Sequence, residues 1–128
     1  MSQDQIDVAA GNGGGALELS EHGDTALVRL CGHVDDALTR SLRDALTWAV
    51  NHHRMVVVDL SAVGAVDRFG LGALARAHDR ATALGAALCL VAPPPAVRAA
   101  LRAARLNDLF TVVDTCPGAA AERLPAAS

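Results

Sequence analysis

Residues 55–74 read MVVVDLSAVGAVDRFGLGAL. The first six, MVVVDL, form an almost unbroken apolar run. Such a run, without alternation, is the signature of a strand buried on both faces, and so of a central strand with parallel neighbours. A small-residue loop, SAVGAVDRFG, follows. Within it Asp67 is placed to cap a helix, with Leu71, Leu74, Ala75 and His78 on the inner face and Arg76, Asp79 and Arg80 outside. Gly85 ends that helix in the way a C-terminal glycine does. Between Asp67 and Gly70 stand Arg68 and Phe69, and an aromatic there is unexpected in a chain with two Phe, one Trp and no Tyr.

Outward from this stretch, AALCLVA (86–92) is a second apolar strand. PPPAVRAALRAARL (93–106) opens on prolines, tolerated in a first helical turn, and places Val97, Ala100, Leu101 and Ala104 on one stripe. FTVVD (110–114) reads as a last short strand. Upstream, ALELS (16–20) and TALVRLCG (25–32) read as two strands joined by the turn HGD. DDALTRSLRDALTWAV (35–50) is a helix capped by Asp35, with Leu38, Leu42, Ala45, Leu46 and Ala49 on one face, and NHHR ends it. The order β-β-α-β-α-β-α-β predicts an α/β fold with an open mixed sheet of about four or five strands. Residues 1–15, polar and Gly-rich, are expected to be disordered, residues 16–115 to form the domain, and 116–128 to be a flexible tail.

Composition narrows the function. A chain of 128 residues, 52% hydrophobic, suits one domain with a core built from Leu, Val and Ala. The formal net charge of -3 argues against a nucleic-acid partner. Cys31, Cys89 and Cys116 are far apart and odd in number, which points to buried reduced thiols in a cytoplasmic protein. No spacing of Cys and His suggests a metal, and no apolar run is long enough to insert in a membrane. The GNGGG run (11–15) lacks the strand before it and the Lys-Ser/Thr after it that a phosphate loop needs.

Ligands and partners of open α/β sheets meet the carboxyl ends of the strands. That rule gathers Asp35, Asp59, Asp67, Arg68 and Phe69 at one end. Each also has a plain structural reading. Asp35 and Asp67 are simplest as helix caps, and Asp59 can bond neighbouring amides. His33 reads as exposed, His52 and His53 as helix-ending, and His78 as packed at a helix edge. Arg98, Arg102 and Arg105 read as a solvated helix face. No Ser, Thr or Cys has an adjacent base, so no catalytic residue and no cofactor is expected.

Three segments in order and spacing, LVRLCGHVD, VVVDLSAVGAVDRFGLGAL and LRAARLNDLFTVVDT, resemble the STAS domain family over about Leu17 to Thr115. The family includes bacterial anti-sigma factor antagonists and sulfate transporter tails. The resemblance implies a sheet with helices packed largely on one face. It also implies a non-enzymatic regulator that binds an anti-sigma factor and so releases a sigma factor. In well-known members that anti-sigma factor is a serine kinase. It phosphorylates the hydroxyl residue just before the Gly of an Asp-Ser-Ser/Thr-Gly loop, and the phosphate blocks binding.

That loop is DRFG here. Asp67 and Gly70 match; Arg68 replaces the first hydroxyl residue and Phe69 the phosphoacceptor. Asp35 in GHVD matches the acidic residue of the family's Gly-Glu-Leu/Ile-Asp segment, with His33 in place of Glu. The resemblance therefore assigns Asp35, Asp67, Arg68, Phe69 and Gly70 to a partner-binding surface that is not phosphoregulated in the usual way, with Ser61 the nearest upstream hydroxyl. A Phe on such a turn is either tucked into the core or kept for a partner, and its place in the first helical turn favours the partner. Two other readings stand beside this one: a STAS subunit of a transporter-associated or stress-signalling complex, and a nucleotide or small-molecule binder. A homodimer is left open.

Overall fold

The computed structural model describes residues 7–10 and 15–114. In chain order the elements are β1 (Asp7–Ala10), β2 (Ala16–His22), β3 (Thr25–Val34), α1 (Asp36–His52), β4 (Met55–Val66), α2 (Arg68–Leu84), β5 (Ala87–Val91), α3 (Pro95–Ala103) and β6 (Thr111–Val113). The six strands form one open sheet in sequential order. The β1–β2 and β2–β3 pairs are antiparallel, and β3 through β6 run parallel. The α/β class and the open mixed sheet are as the sequence predicts.

All three helices cover one face. Leu38, Leu42 and Leu46 of α1, Leu71 and Leu74 of α2, and Val97 and Leu101 of α3 share a core with Val28, Leu30, Val56, Val58, Leu60, Leu88 and Leu90 of the strands. Alternate strand residues Leu27, Val57, Cys89 and Val91 form a smaller apolar cluster on the other face, to which no described helix contributes. The unbroken run of β4 is thus explained: Val56 and Val58 face the helices, Val57 faces the other way, and all three are fully buried.

Two expectations need correction. The segment 1–15, expected to be disordered, contributes the edge strand β1, paired through its backbone with Ala16–Leu19. The Gly-rich run dominates the composition, whereas ladder bonds are made by backbone groups that a short proline-free stretch supplies whatever its side chains. The remainder of that segment and the tail 116–128 lie outside the described residues. The second correction concerns SAVGAV, read as loop. It continues β4 to Val66, and CGHV continues β3 to Val34, with Cys31, Gly32, His33 and Val34 opposite Ala62, Val63, Ala65 and Val66. Small residues have low strand propensity, but pairing with a neighbouring strand overrides it. Two register shifts, between Arg29 and Cys31 and between Gly32 and His33, absorb the mismatch.

Candidate functional site

Extending β3 and β4 shortens both strand-to-helix connections to one residue each. Val34 and Val66 are register partners at the strand ends, and Asp35 and Asp67 follow them. Both aspartates are extended, with φ near -90°, and both cap a helix. Asp35 Oδ1 accepts from Leu38 N and Asp67 Oδ1 from Gly70 N, each at 2.9 Å. The two helix N-termini therefore leave the same end of the sheet, carrying the expected site residues with them.

Gly70 is packed closely against its neighbours. A Cβ there would lie 2.7 Å from Val66 Cγ2, 3.4 Å from Val34 Cγ1 and 3.6 Å from Thr39 Oγ1. Gly70 is buried, and its lack of a Cβ lets α2 start against β3, β4 and α1. Thr39, on the first turns of α1, was missed. It is buried, and its hydroxyl has no hydrogen-bond partner among the described residues. A hydroxyl of this kind carries no sequence signal, because its burial depends on α2 arriving beside it.

Arg68 and Phe69 are the exposed part of the turn. Phe69 is 60% exposed, while the inner positions of α2 are filled by Leu71, Ala73 and Leu74. The Arg68 guanidinium carbon lies 5.6 Å from the Phe69 ring centroid, within cation–π range. The other phenylalanine, Phe110, is buried and meets His78 edge-on at 5.6 Å. The turn thus presents an aromatic ring with a cation beside it.

Asp59 does not join this group. It sits in the middle of β4, seven residues before Val66, roughly 23 Å of strand away. Its carboxylate accepts from Ser61 N at 3.0 Å and Ser61 Oγ at 2.7 Å, and faces Arg29 at 3.5 Å. His33 is exposed next to the turn. His52 and His53 both bond back to carbonyls of α1, and Trp48 stacks on His52. Arg98 is held by Pro93 O and Asp114, whereas Arg102 and Arg105 are exposed. Cys89 is buried but Cys31 only half so; Cys116 lies outside the described residues. Among the described residues no cluster of His, Cys, Asp or Glu could hold a metal ion. No described helix is long and apolar enough to cross a membrane. The turn presents an exposed apolar ring and a guanidinium beside two capped helix ends.

The sequence profile of the STAS domain family matches residues 16–119. No curated protein sequence matches the chain. Among solved structures, an anti-sigma factor antagonist from Mycobacterium paratuberculosis superposes with a TM-score of 0.71 at 23% identity, over 84% of this chain and 92% of that one. The Bacillus anti-sigma factor antagonist SpoIIAA, in its unphosphorylated form, gives 0.67 at 18% identity, over 75% and 86%. A sulfate transporter family protein from Wolinella succinogenes gives 0.63 at 16%, over 71% and 77%. At these identities the likeness is one of fold.

Proposed function

We propose that this chain, which belongs to the STAS domain family, is a non-enzymatic protein-binding regulator of the anti-sigma factor antagonist type, whose recognition turn is not switched by phosphate. Its partner is an anti-sigma factor of the serine-kinase kind, met in the cytoplasm. The observation that carries this reading is Phe69, largely exposed in the first turn of α2 at the phosphoacceptor position of the family's loop. The first N–H groups of a helix and its positive dipole end welcome a phosphate. Neither Arg68 nor Phe69 has a hydroxyl to carry one. The turn stays in its unmodified state, and burying the ring against a partner is worth about 1.5–3 kcal/mol.

The test mixes the protein with a candidate anti-sigma factor and ATP, maps phosphate by mass spectrometry, and measures complex formation by calorimetry. Wild type binds equally well before and after ATP, with no phosphate at residues 67–70. Phe69→Ser acquires phosphate at that position and then loses binding. Stoichiometric phosphate on Ser61, with loss of binding, would show that the switch has moved and overturn the proposal.

A further inference from the structure

A second surface lies away from the turn. On the solvent side of the helical layer, α1 and α2 enclose a groove of about 250 Å³. Its floor is Leu46 and Val50 of α1 with Ala73 and Ala77 of α2. Three arginines line it: Arg43 from α1, Arg76 and Arg80 from α2. All three are exposed, and none forms an ion pair among the described residues. Arg80 Nε donates to Asn51 Oδ1 at 3.1 Å, tying that guanidinium across the seam between the helices. Asp44 and Asp79, the acidic neighbours in sequence, do not line the groove. A chain with a net charge of -3 thus concentrates uncompensated positive charge on one seam.

We infer that this groove is a docking site for an acidic amphipathic helix of a partner protein. Arg76 and Arg80 are four residues apart, about 6 Å along the helix axis, so carboxylates spaced i, i+4 on a docked helix meet both. Arg43 on the opposite wall meets a carboxylate on the other flank. The alanines keep the floor shallow enough for a small apolar ridge to settle between two helices, the geometry of helix-in-groove recognition. The floor residues are 1–7% exposed, so the arginines carry the contact and the docked helix needs only a narrow apolar face. A second copy docked groove to groove would set arginine against arginine, because a two-fold interface pairs like surfaces. This inference uses none of residues 67–70 and stands apart from the reading of the turn.

The test uses the full chain and a fluorescein-labelled synthetic helix with glutamates at i, i+4 flanking a narrow Ala/Leu face. Anisotropy is followed at low and high salt. Expected is saturable binding that weakens as salt rises. It falls about tenfold or more in Arg43→Glu/Arg76→Glu, and by a smaller factor in Arg76→Gln/Arg80→Gln, should the charge reversal disturb folding as judged by circular dichroism. Phe69→Ala binds the peptide as wild type does. No saturable binding, equal binding of a scrambled peptide of the same composition, or equal binding by the arginine variants overturns the inference. So does loss of peptide binding in Phe69→Ala, which would place the peptide on the turn. Arginine-dependent sedimentation with phosphatidylserine vesicles, or an arginine-dependent dimer in analytical ultracentrifugation, would assign the groove to a membrane surface or to a second copy instead.

Discussion

Asp35 and Asp67 hold equivalent places in the fold: each is the single residue between a parallel strand and a helix, directly after the register partners Val34 and Val66. One carboxylate oxygen of each accepts the N–H three residues on at 2.9 Å. The matched junctions bring the starts of α1 and α2 to one end of the sheet, and Arg68 and Phe69 with them.

The caps are separable from recognition by stability alone. Asp35→Ala and Asp67→Ala each lose a side-chain acceptor at a helix start, and each is expected to cost about 1 kcal/mol in a urea melt. Asp67→Asn, which keeps an acceptor oxygen, should recover most of that loss. Equal stability of the alanine variants and wild type would remove capping as the role of these residues.

The two phenylalanines should respond in opposite ways. Phe69 is exposed, so Phe69→Ala is expected to change stability by less than about 1 kcal/mol. Phe110 is buried against His78, so Phe110→Ala should cost about 3–5 kcal/mol. If the ring anchors an interface, Phe69→Ala also loses about 2 kcal/mol of partner affinity, read by calorimetry. A large stability loss at position 69 would mean that the ring folds inward and serves the core.

Gly70 and Gly72 sit two residues apart on α2 and should give changes of opposite sign. A Cβ at Gly70 would come 2.7 Å from Val66 Cγ2, a stiff β-branched side chain. Overpacking of about 1–3 kcal/mol then exceeds the helix-propensity gain, and Gly70→Ala is expected to lose about 1 kcal/mol. A Cβ at Gly72 meets nothing within 4 Å, so Gly72→Ala should gain about 0.5–1 kcal/mol. Thermal melts of both variants decide it.

Thr39 offers a gain of a different kind. Its buried hydroxyl lacks a partner among the described residues. Thr39→Val keeps the branched shape and removes the unsatisfied group, with an expected gain of about 1 kcal/mol in chemical denaturation. A loss there would show that the hydroxyl is hydrogen-bonded in solution.

Much of the fold was legible in the sequence because it rests on neighbours along the chain. The runs at Met55–Leu60 and Ala87–Val91, the caps Asp35 and Asp67, and the stop at Gly85, which adopts φ of 77°, are local signals with local causes. The family was legible too, from three segments in order, and its profile matches residues 16–119.

What the tertiary structure alone decided depends on residues distant in sequence. SAVGAV is strand because β3 lies beside it to pair. Asp7–Ala10 is strand because β2 has an open edge. Asp59 left the site because β4 runs on past it for seven more residues. Phe69 and Phe110 are the same residue type with opposite fates, and Arg43 joins Arg76 and Arg80 only across the α1–α2 seam. The reason is common to all of them. A hydrogen-bond ladder, a buried face or a groove needs two surfaces, and the chain sets each surface locally while only folding brings the second one to it.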